Sequence, residues 1–169
     1  MDPTRFIAQL EQNANIINTL LRNIAADQSR WKPATDRWSI LEVVNHLYDE
    51  EREDFRLHLN IMLHTPAAPW PPIDPEGWIT ARQYNQREFI PSVQNFIAER
   101  QRSLAWLRSL PSPNWDNTVQ APWGIFHAGD MLASWVVHDQ WHIQQLVQLI
   151  RDNTITAAAP YITTYAGSL

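Results

Sequence analysis

The stretch Met131-Leu132-Ala133-Ser134-Trp135-Val136-Val137-His138-Asp139-Gln140-Trp141-His142-Ile143-Gln144-Gln145-Leu146-Val147-Gln148-Leu149 decides how the chain folds. Met131, Trp135, His138, His142, Leu146 and Leu149 recur at three- and four-residue steps, the spacing of one stripe on an α-helix. This predicts a helix from about Ala128 to Arg151 whose inward face carries two histidines about one turn apart. A single inward histidine is usually structural, satisfied by a hydrogen bond. Two imidazoles side by side among Trp135, Leu146 and Leu149 resist protonation and leave polar nitrogens to satisfy, and one divalent cation satisfies both. The pair therefore reads as metal ligands. Asp139 projects about 100° away from His138 and reads as a structural or supporting group rather than a ligand.

Three further helices surround this one. Phe6, Leu10, Ile17, Leu21 and Ile24 form a stripe from Thr4 to about Asp27. Ser39 with Glu42 makes a capping box, and Trp38 before the cap can staple against Val43. A second helix therefore starts at Ser39 and runs through Val44, Leu47, Phe55 and Leu59 to about Leu63. The segment His64 to Trp78 holds Pro66, Pro69, Pro71, Pro72 and Pro75, so it reads as a long connection rather than a helix. A third helix runs from about Gln83 or Glu88 to Leu110, with Pro91 in its first turn or at a kink. Asn114 to His127 reads as irregular structure or a short hairpin, and Thr154 to Leu169 shows no decisive period. The expected fold is all-α, an antiparallel four-helix bundle with a long crossover connection. The expected organisation is one domain over residues 1–169, with a core at about 4–151 and a C-terminal tail at 152–169.

Composition narrows the function. The 169-residue chain is 44% hydrophobic and 18% charged, as in ordinary globular proteins, and its net charge of −5 offers no attraction to phosphates. Its 13 cations, 12 of them Arg, are scattered without a basic run, so nucleic acid is not an expected partner. No apolar stretch approaches the roughly 20 residues of a membrane span, and no leader-like apolar block opens the sequence. The expectation is a cytoplasmic protein with no membrane partner. There is no cysteine, so thiolate ligands and a cysteine nucleophile are excluded and any metal is held by nitrogen and oxygen.

His46 is harder to place by periodicity. It lies at the edge of the second helix's stripe, about 60° from Val43, and both a ligand and a structural role remain open. Glu50, one turn further, is a candidate fourth ligand, supporting acceptor or general base. Set against that, and slightly favoured, is a solvated helix face on which Asp49, Glu50, Glu51, Glu53 and Asp54 form an acidic cluster with Arg52 and Arg56. His58, His64 and His127 are weaker candidates. The zincin pattern fails, because Asp139 stands where its glutamate belongs and no histidine follows His142. Phosphate loops, a nucleophile elbow and the Glu-x-x-His of di-iron bundles are absent.

Trp38-Ser39 leading to His46-Leu47, then Pro122-Trp123-Gly124, and finally His138-Asp139-Gln140-Trp141-His142-Ile143-Gln144-Gln145 resemble the DinB-like (DinB/YfiT) superfamily, from about Phe6 to Ile150. The resemblance implies a four-helix bundle in which His46, His138 and His142 bind a divalent metal, zinc or nickel. It further implies a metal-dependent enzyme that activates a small thiol, such as bacillithiol, mycothiol or glutathione, or water. A thiol S-transferase or a hydrolase acting on a small-molecule substrate fits, as does a homodimer. The alternative is a non-catalytic small-molecule-binding or structural bundle.

Overall fold

The structure is a computed structural model and describes residues 2–121 and 124–167. Four long helical units build a four-helix bundle: α1 (Pro3–Leu21), a rod made of α3 (Ile40–Glu50), a π-helical turn (Glu51–Phe55) and α4 (Arg56–His64), then α6 (Phe89–Ser109) and α7 (Ala128–Ala157). Short helices α2 (Ala26–Arg30) and α5 (Pro75–Ala81) lie in the connections, and β1 (Thr118–Ala121) pairs antiparallel with β2 (Gly124–His127) ahead of α7.

Local chemistry sets the boundaries that matter to the site. Ser39 caps α3 by accepting the Glu42 amide at 3.1 Å, while the Glu42 carboxylate accepts the Ser39 amide at 2.8 Å. The crossover from the rod to α6 is not wholly irregular. Pro75 stands in the first turn of α5, where a missing amide donor costs nothing, and Asp74 caps that helix through the Gly77 amide. A side chain at Gly77 would collide with that cap, since its Cβ would lie 1.9 Å from the Asp74 carboxylate. Pro91 sits in the first turn of α6.

Two expected boundaries move. The first helix stops at Leu21 rather than near Asp27, because a turn closed by the Ile24 amide on the Leu21 carbonyl returns Ile24 to the same core. The last helix continues six residues past Arg151 to Ala157, so the expected tail begins as helix. There the Thr154 and Thr156 hydroxyls bond carbonyls four residues back, and the helix ends before Pro160 can disrupt it. Asn114 to His127 contains the hairpin. Pro122 and Trp123 lie outside the described residues, and Gly124 adopts φ +130°, a conformation suited to glycine.

Two apolar clusters fill the bundle. One gathers Leu10, Phe55, Leu59, Leu104, Leu132 and Trp135, the other Ile17, Leu41, Val44, Phe96, Leu146 and Leu149. Each fully buried large aliphatic side chain contributes about 1.5–3 kcal/mol. Their order along the chain gives the helix directions: α1 and α7 traverse the clusters one way, the rod and α6 the other. Pairing of Asn45 with Ser92 and of Arg56 with Ser103 shows the rod and α6 side by side and parallel, which is what the crossover makes possible.

Between the clusters every long helix places one polar residue: Asn13, Glu51, Arg100 and Asp139. Arg100 donates all five of its N–H groups, to both oxygens of Glu51, both of Asp139 and the Leu10 carbonyl, at 2.7–2.9 Å. Trp135 Nε1 donates to Glu51, and Asn13 to Asp139.

Candidate metal centre

Beside this layer the rod and α7 bring His46, His138 and His142 together. Their Nε2 atoms converge: His138 lies 3.2 Å from His46 and 3.1 Å from His142, and all three ligand atoms fall within 4.8 Å of one another. The helix spacing explains the α7 pair, and His46 reaches it because the rod packs directly against α7.

The donor set fits a cation. Three nitrogens held tetrahedrally at 2.0–2.1 Å from one ion are about 3.3 Å apart, close to the separations of His138 from His46 and from His142. Hydrogen bonding among the rings cannot replace the ion. Nδ1 of His142 donates to Gln145 Oε1 at 2.7 Å, which leaves its Nε2 with a lone pair. Nε2 of His138 then cannot satisfy both neighbours, because a neutral imidazole nitrogen is either donor or acceptor. Protonation is no remedy. Burial, reinforced by His142, lowers the His46 pKa to about 3 against a weaker opposing pull from Asp49. Burial also holds His138 well below its ordinary value, with help from His142, His46 and Arg100. His142 is lowered by burial too, opposed by Gln145 and Asp139. All three rings are therefore poised as neutral ligands.

Glu50 is buried with its Oε2 3.4 Å from His138 Nε2, so the expected solvated face is corrected at this residue. Burial, then the neighbouring Asp54, raises its pKa to about 8. Asp49 and Glu51 are buried as well, because partners from elsewhere in the chain meet them: Tyr84 and Arg82 bond Asp49, and Arg100 bonds Glu51. Asp139 accepts hydrogen bonds from Arg100 rather than from a histidine, as its projection from α7 implied.

Other candidates fall elsewhere. His58 is fully buried, with Nδ1 2.5 Å from Asp54 and Nε2 3.0 Å from the Pro71 carbonyl, and Trp70 stacks on its ring at 4.1 Å. It fastens the crossover to the rod. Trp78 lies under the Arg82 guanidinium, so both loop tryptophans pin the connection. His127 pairs with Asp130 at the start of α7, and His64 is exposed at the rod's end.

The centre opens on two sides. A polar cleft of about 540 Å³ is lined by Trp38, Glu50, Asp74 and Glu76 together with the three histidines, and it is here that the crossover touches the site. An apolar cleft of about 700 Å³ is lined by Phe55, Val137, Trp141, His138 and His142 together with Arg37 and Gln145. Among the described residues no helix is long and apolar enough to cross a membrane.

A family model described as the DinB superfamily matches residues 9–146. The chain belongs to the DinB superfamily. The solved structure of YfiT from Bacillus subtilis, described as a probable metal-dependent hydrolase with an unusual four-helix bundle topology, superposes with a TM-score of 0.77, covering 88% of this chain and 86% of that one. At 19% identity the likeness is one of fold. No curated protein matches the chain in sequence.

Two neighbours of the histidines in this DinB-superfamily chain escape a reading of local patterns. Trp38, expected to staple against Val43, stacks on His142 at 6.1 Å and meets His46 edge-on at 4.9 Å. Phe55 packs against His138 at 5.0 Å from the far side of the π-turn. The one local signal for Gln145 was its place three residues after His142, on the same helix face.

Proposed function

We propose that this chain is a metal-dependent enzyme in which His46, His138 and His142 hold one divalent ion, zinc or nickel, and Glu50 serves as the proton acceptor for a small nucleophile. The observation that carries this reading is the convergence of three uncharged Nε2 atoms with the Glu50 carboxylate beside them. When bound, the ion supplies a concentrated positive charge that makes a coordinated water or small thiol a stronger acid. Beside a bound cation, which would favour its ionised form, Glu50 Oε2 on the polar side is placed to take the released proton and to return it to a leaving group. Gln145 fixes the His142 tautomer, and Trp38 and Phe55 hold the ring planes and keep water from the histidine faces.

A thiol nucleophile comes from solution, since the chain has no cysteine. Either chemistry uses the same residues. Elemental analysis of protein purified without a metal-affinity tag is expected to find about one divalent ion per chain. Co²⁺-substituted protein titrated with bacillithiol, mycothiol or glutathione is expected to develop sulfur-to-metal charge-transfer absorption if a thiol is used. No spectral change at millimolar thiol, together with ester hydrolysis that Glu50→Gln abolishes at unchanged metal content, selects water. Absence of metal from the wild-type protein would remove the reading altogether.

A further inference from the structure

The two clefts that meet at the histidines differ in sign. The polar cleft carries the carboxylates of Asp74 and Glu76 and no cation. The apolar cleft carries no carboxyl group and one cation, Arg37. Arg37 is the one cation among the residues lining these two clefts, and it also borders a neighbouring cleft that carries Asp36, Glu42 and Glu76, so in a chain of net charge −5 it is the group that offers an anion favourable charge beside the centre.

Arg37 is unengaged. It is exposed, just ahead of the α3 cap, and among the described residues its guanidinium has neither an ion pair nor a hydrogen bond. That contrasts with Arg52, Arg56, Arg82 and Arg100, all of which are bonded to carboxylates. The wall facing it is apolar and open: Val137 and Trp141, one turn apart on α7, are 46% and 71% exposed, so they present a continuous surface that no part of the chain covers among the described residues. At about 700 Å³ the cleft is of small-molecule size.

We infer that the centre takes a small apolar monoanion, of the class of arylalkanoic or medium-chain aliphatic carboxylates. Its hydrocarbon body lies on Phe55, Val137 and Trp141, and its carboxylate is held by Arg37. A planar guanidinium accepts a carboxylate through two parallel N–H donors, and the indole of Trp141 supplies the flat apolar contact. The inference rests on the proposed enzymatic reading of the histidine centre, which it extends to a substrate class. It also assigns the faces: substrate on the Arg37 side, proton transfer on the Glu50 side.

The test is calorimetric titration of the metal-loaded and the chelated full-length protein with phenylacetate and octanoate, against phenylacetamide and octanamide. Both carboxylates are expected to bind at least about fivefold more tightly than their amides. Arg37→Gln is expected to erase that preference, and Trp141→Ala to weaken acids and amides alike. Equal binding of acid and amide to the wild type overturns the inference. So does a preference that survives in Arg37→Gln and disappears on chelation, since the carboxylate would then be bound by the metal. Metal content is measured on the same samples. A protein without metal that still shows the Arg37-dependent preference would sink the enzymatic reading while sustaining the anion site, and a metal-loaded protein without the preference would do the reverse.

Discussion

Glu50 and Glu51 are adjacent on the rod, as His138 and Asp139 are on α7, yet each pair splits between two opposite kinds of buried polarity. Glu51 and Asp139 face Arg100, where all five guanidinium donors are matched by acceptors. Glu50 and His138 face a cluster in which nitrogen lone pairs confront one another at 3.1–3.2 Å with too few protons to bridge them. The first arrangement is saturated and needs nothing from outside. The second is an excess of acceptors, and an excess of acceptors is what a cation relieves. Burial alone does not separate structure from function here; the balance of donors and acceptors does.

Arg100→Ala is the harshest test of that contrast. It leaves Glu51 and Asp139 buried without a counter-charge, and breaking such a pair costs about 3–5 kcal/mol, read as a lowered midpoint in urea unfolding. Replacing Arg100, Glu51 and Asp139 together by apolar residues is expected to cost far less. A mild effect from Arg100→Ala would mean that the saturated layer is not what holds the helices in register.

His138→Ala probes the other cluster. Metal content is expected to fall from about one ion per chain to a small fraction, while the metal-free variant stays within about 1 kcal/mol of the metal-free wild type, because the deleted nitrogen had no more than one satisfied bond to lose. Full occupancy in this variant would take His138 out of the ligand set.

Chelation sharpens the same distinction. Helical circular dichroism is expected to survive removal of the ion, since the two apolar clusters carry the fold, and the midpoint to drop only by the linkage of metal binding. Collapse of the spectrum would make the centre structural.

The smallest effect concerns Asp49. Burial pushes its pKa up, but the Tyr84 hydroxyl, Arg52 and Arg82 outweigh burial and hold it below the ordinary 3.8. A carboxyl with a depressed folded-state pKa adds stability that is present above about pH 4 and is lost as pH falls through the lower folded value. The stability gap between wild type and Asp49→Asn should therefore be constant at neutral pH and narrow progressively below about pH 4, measured by denaturation at a series of pH values. A gap that does not change with pH would place the value of Asp49 in packing.

Sequence carried the elements whose causes are local. The Ser39–Glu42 box and the three- and four-residue steps of α7 need only neighbours in the chain, and both stand as read. The end of α1 did not, because Ile24 keeps the apolar period while the backbone turns beneath it. At the site, the His138–His142 pair was legible from spacing. His46 was left open until the family resemblance named it, since its position depends on how the rod packs on α7. The acidic run Asp49-Glu50-Glu51 looked like a solvated face because the groups that bury it, Tyr84, Arg82 and Arg100, come from 33 to 49 residues further along.

The π-helical turn at Glu51–Phe55 gives the rod one residue more than its turns require. It acts as a phase adjustment: from Arg56 onward the rod is set back by about 100° relative to an unbroken α-helix. The half bearing His46 and Glu50 and the half bearing His58, Leu59 and Met62 are thereby indexed independently, one to α7's histidines and the other to the crossover and the core. Deleting a single residue from the turn would straighten the helix and force a choice, with either the nitrogen cluster or the Asp54–His58–Pro71 fastening rotated out of line.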